Sequence, residues 1–282
     1  MCSIANILMV TTVFALLSSP VYGQSPPGKI ENPQPTLYII GDSTVKNGTP
    51  GQMGWGDPLA RWFDSRRIRV INRARGGRSS RTFRTEGLWD KILTDLRSGD
   101  FVLMQFGHND GGSLAKSTRA SLKGSGDQTE DVRDEKTGKL ETVHTFGWYM
   151  RHYVSEAKSK GAIPIVCSLI PRNMWKSDGT VSRASDGYGL WARDAATAEK
   201  VAFIDLNARI ADEYDVMGEV KIKEAYFPAD HTHTNAAGAE LNAATVVDGL
   251  RALKLCPLAA YLLDKSAPSL APAPAEVLRS NP

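Results

Sequence analysis

Short apolar segments alternate with longer amphipathic segments along most of this chain, and that alternation limits the folds it can adopt. The predicted strands are Thr36–Ile40, Arg69–Asn72, Phe101–Gln105, Ile163–Ser168 and Ala202–Asp205. The predicted helices are Asp57–Phe63, Leu88–Leu96, Phe146–Lys160, Tyr188–Glu199, Leu206–Met217 and Ala236–Leu253. A helix after each strand is typical of an α/β fold, in which helices cover both faces of a central parallel sheet.

The chain is long enough to bury one sizeable core. It has 282 residues, of which 41% are hydrophobic and 23% are charged, an ordinary balance for a globular protein. We find no internal repeat and no second compositional block, and single α/β domains reach this length, so we predict one domain over residues 36–265. The formal net charge is only +3. Basic residues are also mixed with acidic ones, which argues against a nucleic-acid-binding protein.

The first 23 residues have the composition of a targeting segment. An apolar core runs from about Ile7 to Leu17, too short for a stable membrane anchor, and a candidate cleavage site follows at Val21-Tyr22-Gly23. No Lys or Arg precedes the core, and a buried helix is the alternative interpretation. We predict a secretory signal peptide over 1–23, a polar, proline-rich lead-in over 24–35 and an Ala/Pro/Ser-rich tail over 266–282. We therefore expect a secreted protein, extracellular or periplasmic, that does not bind membranes.

The cysteines give no indication of a metal site. Cys2 would leave with the signal peptide, and Cys167 lies in an apolar strand candidate, as a small buried residue does. Cys167 and Cys256 are far apart and have no Cys-x-x-Cys spacing, which argues against structural zinc. The sequence leaves open whether these two pair. We expect neither a metal nor a cofactor.

A polar segment from Gly111 to about Val143 interrupts the alternation. It is rich in glycine, serine and charged residues, and it directly follows the third predicted strand. Connections of this length are uncommon in compact domains and are often functional. The alternative is a solvated surface insertion. Within it, "KTGKLETVHTF" at 136–146 is compatible with a short hairpin.

The first predicted strand runs into Gly41-Asp42-Ser43, which raises the question of what the serine does there. Asp and Ser are ordinary caps at a helix start, so a plain strand-to-helix turn is one interpretation. The other is a nucleophile. A serine hydroxyl becomes an effective nucleophile only when a neighbouring base accepts its proton. That hypothesis therefore requires a base elsewhere in the chain.

Asp230 and His233 are the best candidates for an acid and a base. The chain has five histidines, and His233 is three residues after Asp230 in a stretch that enters the last predicted helix. A turn can bring a carboxylate and an imidazole side by side at this spacing, and the carboxylate then orients the ring. The alternatives are a helix-capping aspartate with surface histidines, and a metal pair at His231 and His233, for which no convincing further ligands lie nearby.

Acyl transfer also requires hydrogen-bond donors where negative charge develops on the substrate oxygen. The Gly76-Gly77 turn follows the second predicted strand and offers backbone N–H groups, and Asn109 follows the third strand in "GHND". Ser43 contributes its own N–H if it begins a helix. Since loops after parallel strands meet at one edge of a sheet, these groups are expected to converge.

These residues together resemble the SGNH, or GDSL-type, hydrolases. Four blocks match: Gly41-Asp42-Ser43, Gly77, Gly107-x-Asn109-Asp110 and Asp230-x-x-His233. The resemblance spans roughly residues 37–250 and implies a flavodoxin-like three-layer α/β/α sandwich with a central parallel sheet. It also implies that Ser43 is the nucleophile, His233 the base and Asp230 its orienting acid. The oxyanion hole would then consist of the amides of Ser43 and Gly77 and the side chain of Asn109.

The residues in and around these blocks are similar to those of the rhamnogalacturonan acetylesterase branch of the family. The matching segments are "GDSTV", "GWGDPL" at 54–59, "GGRSSRTF" at 76–83, "QFGHND" and "DHTHTNAAGA". Lipolytic members more often continue Gly-Asp-Ser with leucine. The polar insertion after Asp110 is longer than the minimal family fold requires.

Five arginines between residues 73 and 84 flank the predicted oxyanion glycine. Arginine binds carboxylates bidentately, which favours an acidic pectic polymer over neutral xylan. The alternative is a solvated helix start with arginines paired to nearby acids such as Glu86. Trp55 follows the Ser43 loop and could stack on a sugar, although an isolated tryptophan is usually a core residue. The candidate substrate-binding residues are Trp55, Arg78, Arg81, His108 and His231.

We therefore expect a secreted serine esterase that removes O-acetyl groups from plant cell-wall polysaccharide. Rhamnogalacturonan is the favoured substrate. Its partner is the acetylated polysaccharide or oligosaccharide. An acetylxylan or acetyl-oligosaccharide esterase is the alternative within the same chemistry. A non-catalytic carbohydrate-binding protein on the same fold is the alternative from another class, and a general lipase or thioesterase is a third alternative. The sequence does not indicate the oligomeric state.

Overall fold

A computed structural model describes residues 34–254 and 256–264 of the chain. The predicted signal peptide, all but the last two residues of the predicted lead-in and the C-terminal tail lie outside these described residues. Their assignments remain predictions. Within the described part, no helix is long and apolar enough to cross a membrane. Cys167 and Cys256, whose pairing the sequence left open, are both free thiols.

Five parallel strands form the central sheet, and two further strands form a separate hairpin. The strands are β1 (Thr36–Gly41), β2 (Arg69–Asn72), β3 (Phe101–Gln105), β4 (Thr129–Arg133), β5 (Leu140–His144), β6 (Ile163–Cys167) and β7 (Ala202–Ile204). The order across the sheet is β2-β1-β3-β6-β7. Counting only the sheet strands, this is the 2-1-3-4-5 order of flavodoxin-like folds. The predicted α/β class and parallel sheet are confirmed, with the last two strands ending one residue earlier than predicted.

The helices are α1 (Ser80–Thr85), α2 (Leu88–Asp95), α3 (Phe146–Ser159), α4 (Tyr188–Ala198), α5 (Leu206–Met217), α6 (Glu219–Tyr226) and α7 (Ala236–Ala252). Four begin where the sequence provides a cap: the side chains of Ser79, Thr145, Asp205 and Asn235 accept hydrogen bonds from first-turn amides of α1, α3, α5 and α7. The helix predicted at Asp57–Phe63 is a 3-10 helix, Pro58–Trp62, and a second 3-10 helix covers Pro257–Tyr261. The helices α1 and α6 were not predicted, because they are only 6 and 8 residues long.

Alternate side chains of the central strands point to two cores, one on each face of the sheet. Leu37 and Ile39 of β1 pack in a core with residues from α5, α6, α7 and both 3-10 helices. Tyr38 and Ile40 pack in the other core with residues from α1, α2, α3 and α4. Both faces of the sheet are therefore covered. The three-layer α/β/α sandwich is the architecture that the family resemblance implied.

The polar insertion is folded rather than extended into solvent. Its strands β4 and β5 pair antiparallel, with Thr129 opposite His144 and Arg133 opposite Leu140. The expected hairpin therefore exists, but it begins seven residues before the segment predicted to contain it. The insertion returns to the domain at Leu122, whose N–H donates to the His144 carbonyl at 3.0 Å and whose carbonyl accepts from Phe146 N at 2.9 Å.

Candidate active site

The loops that follow β1, β2 and β3 meet at the carboxyl edge of the sheet. The chain leaves β1 toward β2 on one side and later places β3 on the other side, so strand order reverses between β1 and β3. Open α/β sheets bind their ligands in the crevice at such a switch point. Ser43 follows β1 by two residues, Gly77 follows β2, and Asn109 follows β3 by four residues. The topology therefore brings the predicted site residues to one place.

Ser43, His233 and Asp230 form a continuous hydrogen-bonded chain. The Oγ of Ser43 lies 2.8 Å from Nε2 of His233, across 190 positions of sequence. The Nδ1 of the same ring lies 2.8 Å from Oδ2 of Asp230. A carboxylate can only accept, so Nδ1 carries the hydrogen and Nε2 is left to accept the Ser43 hydroxyl. The arrangement can deprotonate Ser43 when a substrate is present.

A tight turn fixes the Asp230 carboxylate. Its Oδ1 accepts from the backbone N–H of Thr232 at 2.6 Å and of His233 at 2.7 Å, and Gln52 Nε2 donates to its Oδ2 at 3.2 Å. Partial burial acts to raise the pKa of Asp230, but these hydrogen bonds from His233 and Thr232 outweigh it and lower the pKa to about 2. The carboxylate is therefore ionised at neutral pH and orients the imidazole. His233, with both ring nitrogens engaged, has none free for the metal pair that was the alternative interpretation.

A buried polar network holds the loop that carries Ser43. The indole Nε1 of Trp55 donates to Gln105 Oε1 at 2.8 Å, and Gln105 Nε2 donates to Thr44 Oγ1 at 2.6 Å. The Thr44 hydroxyl and N–H both donate to Asp42 Oδ1, at 2.7 and 2.9 Å. Burial raises the pKa of Asp42 to about 6, against the opposing effect of the Thr44 hydrogen bonds. The residues on both sides of Ser43 are thus fixed from inside the protein, which leaves the Ser43 side chain at the surface of the crevice.

Gly41 is required by the close approach of this loop to β3. A Cβ at position 41 would lie 2.5 Å from the carbonyl oxygen of Gln105 and 2.5 Å from Cγ2 of Val45. Neither contact is sterically tolerable, so only glycine fits. The sequence Gly41-Asp42-Ser43 therefore has a structural reason: the glycine permits the close approach to Gln105, and Asp42 anchors the turn that carries Ser43.

The Gly76-Gly77 turn lies beside Ser43, and Asn109 contacts the residue that follows this turn. A Cβ at Gly76 would be only 3.7 Å from the Cβ of Ser43, so this turn packs directly on the serine. Gly77 has φ +75°, which favours glycine. The side-chain amide of Asn109 donates to the Arg78 carbonyl at 3.1 Å, and its Oδ1 accepts from Arg119 Nη1 at 3.3 Å. The structure thus brings the three predicted oxyanion residues into one region.

Asp110 joins the β3 loop to α1 and to the insertion. Its carboxylate is fully buried and accepts hydrogen bonds from the hydroxyl and N–H of Ser80 and from Ser121 Oγ. Burial and, to a smaller extent, the nearby Asp42 carboxylate raise the pKa of Asp110 to about 7, while the Ser80 hydrogen bonds oppose the change. The sequence indicated Asp110 only as part of the "GHND" block. Its hydrogen bonds hold the β3 loop next to Asn109 against α1 and the insertion, which is a structural role.

For two of the candidate residues, the prediction of substrate binding is wrong. Trp55 is 0% exposed, with its indole N–H bonded to Gln105, and so it cannot offer a face to a sugar. Arg81 is also buried, where it pairs with Glu141 at 2.9 Å and donates to the Ala120 carbonyl at 2.8 Å. Both predictions failed because the side chains satisfy partners far away in sequence, which local composition does not indicate.

The other three candidates lie near the crevice. Arg78 is one-third exposed, but its guanidinium pairs with Glu86 at 2.8 Å, as the alternative interpretation of the arginine run held. His231 is exposed, and its carbonyl accepts from Asn173 N at 2.8 Å. The ring nitrogens of His108 are buried, and burial with the nearby Arg172 charge lowers the pKa of His108 to about 3. A role for these three in substrate binding remains a prediction.

Comparison with known proteins identifies the class to which this fold and site correspond. Residues 39–241 match the GDSL-like Lipase/Acylhydrolase family. The chain belongs to this family and is a serine esterase. It is 39% identical over 208 residues to the rhamnogalacturonan acetylesterase of Emericella nidulans, and the match covers 73% of this chain and 80% of that protein.

Two bacterial proteins are similar over most of the chain. A protein of Bacillus subtilis described as "Probable rhamnogalacturonan acetylesterase YesY" is 29% identical over 225 residues, covering 78% of this chain and 94% of that protein. The crystal structure of YxiM from Bacillus subtilis superposes with a TM-score of 0.63 at 28% identity, covering 77% of this chain and 56% of that one. The expected SGNH fold is thereby confirmed.

Proposed function

We propose that this protein is a secreted carbohydrate esterase that removes O-acetyl groups from rhamnogalacturonan. The observation that carries the proposal is the chain from Ser43 through His233 to Asp230, with both links at 2.8 Å, at the switch point of the sheet. The names of its relatives from Emericella nidulans and Bacillus subtilis support the polymer. The apolar stretch near the N-terminus supports secretion, and it predicts that the exported protein begins at Gln24.

The proposed reaction begins with attack by Ser43. His233 Nε2 accepts the hydroxyl proton as Oγ bonds to the acetyl carbonyl carbon, and Asp230 stabilises the imidazolium that forms. The carbonyl oxygen becomes an oxyanion, which in this mechanism the N–H groups of Ser43 and Gly77 and the Nδ2 of Asn109 stabilise. The carbon–oxygen bond to the sugar then breaks. The departing sugar oxygen takes the proton from His233, which leaves an acetyl-serine.

Water completes the cycle by the same route. His233 accepts a proton from water as the hydroxide attacks the acetyl-serine, and the same three donors stabilise the second oxyanion. Collapse of this intermediate releases acetate and returns the proton from His233 to Ser43 Oγ. The free hydroxyl of the sugar and one acetate are the products.

Acetate release by the purified protein beside its Ser43→Ala variant tests the proposal. The substrates are acetylated rhamnogalacturonan, acetylated xylan and a simple aryl acetate. We expect the wild type to prefer the pectic polymer and the variant to lose activity by about 10³-fold or more with its fold intact. If the wild type preferred acetylated xylan, the proposed mechanism would stand, but xylan rather than rhamnogalacturonan would be the substrate. No release from any substrate would favour a carbohydrate-binding protein, and equal activity of the variant would exclude Ser43 as nucleophile.

A further inference from the structure

A cavity of about 370 Å³ opens beside the candidate active site, on the side away from the arginine run. Its volume is that of a small-ligand pocket. Its walls come from the β3 loop, the segment after β6 and the start of α4, and the residues used below that line it are His108, Leu169, Ile170, Arg172, Arg183 and Asp186. The mechanism proposed above uses none of these side chains.

Arg172 connects this cavity to both halves of the site. Its Nη2 donates to the carbonyl of His108 at 3.3 Å, and His108 immediately precedes Asn109. The next residue, Asn173, donates its N–H to the carbonyl of His231 at 2.8 Å, two positions before His233. Arg172 and Asn173 therefore connect the loop of the proposed oxyanion donor, Asn109, with the loop of the proposed base, His233. A sugar whose ester lies at Ser43 would be next to it.

The guanidinium of Arg172 has no carboxylate partner among the described residues. Its Nε is buried without a hydrogen bond, and of its other nitrogens only Nη2 has one, to a backbone carbonyl. By contrast, Arg183 on the same cavity is paired with Asp212 at 2.6 Å and Asp215 at 2.8 Å. Asp186 lies at the exposed rim and forms no ion pair with Arg172. Arg172 is thus the cation of this cavity whose charge is not already balanced.

The surroundings of Arg172 strengthen an electrostatic interaction made there. Leu169 and Ile170 are almost fully buried, and His108 beside the guanidinium is kept neutral by burial and by the Arg172 charge, so His108 adds no positive charge there. Neither ring nitrogen of His108 reaches hydrogen-bonding geometry, although the Ile170 backbone faces the ring. A partly desolvated guanidinium binds a carboxylate more strongly than an exposed one does.

We propose that Arg172 binds the carboxylate of a uronic acid residue of the substrate and so selects acidic over neutral acetylated polysaccharides. This inference rests on the proposed function, because it concerns the sugar that carries or adjoins the ester cleaved at Ser43. It assigns the acidic-substrate preference to an arginine outside the run at residues 73–84. The carboxylate would occupy the cavity and accept hydrogen bonds from the guanidinium.

The test compares wild type with Arg172→Gln on three substrates. They are acetylated rhamnogalacturonan, the same polymer after reduction of its carboxyl groups and re-acetylation, and an aryl acetate. We expect the KM of the variant for the acidic polymer to rise about tenfold or more, with kcat little changed, because a hydrogen-bonded charge pair is lost. The kinetics on the reduced polymer and the aryl acetate should stay at wild-type values. Arg172→Lys should fall between the two, since it keeps the charge but not the planar geometry.

Lys176→Gln is the matched control, since Lys176 is an exposed cation on the same segment that does not line the cavity. It should leave all three KM values unchanged. An unchanged KM of Arg172→Gln on the acidic polymer would overturn the inference alone, as would an equal loss on all three substrates. If wild type cleaves the aryl acetate but releases no acetate from the acidic polymer, the proposed function fails and the inference fails with it.

Discussion

Gln105 at the end of β3 donates a hydrogen bond of 2.6 Å to the hydroxyl of Thr44, the residue after Ser43. Both side chains are buried. Because Thr44 in turn donates to Asp42, this single contact couples the central strand to both neighbours of the serine. The position of Ser43 therefore depends on the interior of the sheet as well as on the local turn, and the network that Trp55 completes can be tested.

Trp55→Phe should destabilise the protein without changing substrate affinity. The change leaves the buried Gln105 Oε1 without its donor, which costs about 1–3 kcal/mol of unfolding free energy. Urea unfolding measures this cost, and KM for acetylated polysaccharide should stay at the wild-type value. Trp175→Phe is the control, since Trp175 makes a similar bond to Asn173 at 2.7 Å but is only partly buried, so water can replace the lost partner. A raised KM with unchanged stability would restore the sugar-stacking hypothesis.

Asn109→Ala should lower kcat and leave KM for an aryl acetate nearly constant. Removing one donor from an oxyanion hole costs about 10²–10³-fold in rate, because the interaction is strongest with the transition state. Steady-state kinetics gives both parameters, and circular dichroism checks that the β3 loop remains folded. If the loss appeared in KM instead, Asn109 would have a role in binding rather than in stabilising the oxyanion.

Protonation of Asp230 should not set the acid limb of the pH–activity profile. The pKa of Asp230 is lowered to about 2, so its carboxylate stays ionised as the pH falls through the acid range. We expect Asp230→Asn to lose about 10³–10⁴-fold in kcat, because the imidazole loses the carboxylate that orients it. Profiles of kcat/KM for wild type and Asp230→Asn between pH 3 and 9 check this. An acid limb that is present in wild type and absent from the variant would contradict the expectation.

Asp110 should make the protein less stable as the pH rises. Burial raises the pKa of Asp110 to about 7 in the folded state, against about 4 when unfolded. The folded state therefore binds more protons between these values, and the unfolding free energy contributed by this group falls from about pH 4 to about pH 7. Between pH 5 and 8, wild type should lose roughly 2 kcal/mol more than Asp110→Asn, as measured by urea unfolding at both pH values. Parallel losses in the two proteins would show that Asp110 is not protonated in the folded state.

Local sequence patterns were sufficient for much of the secondary structure. The strands of the sheet were predicted to within one residue at each end, because apolar runs of that length are bounded by polar turns. The longer helices that begin at a side-chain cap, as at Asn235, were placed equally well. The short helix α1 was missed because Ser80–Thr85 lies within the arginine-rich run and has too few residues to show a period.

The candidate site likewise has features that the sequence predicts and features that only the folded structure shows. The sequence by itself determined which residues converge, since Ser43, Gly77 and Asn109 follow parallel strands, whose carboxyl ends share one edge of the sheet. Only the tertiary structure decided which polar side chains are available to a substrate. Arg81 and Arg84 pair with Glu141 and Glu156, 60 and 72 positions away. Trp55 is buried against Gln105, and Arg172 has no carboxylate partner among the described residues. Such pairings depend on long-range packing, which no local pattern of residues encodes.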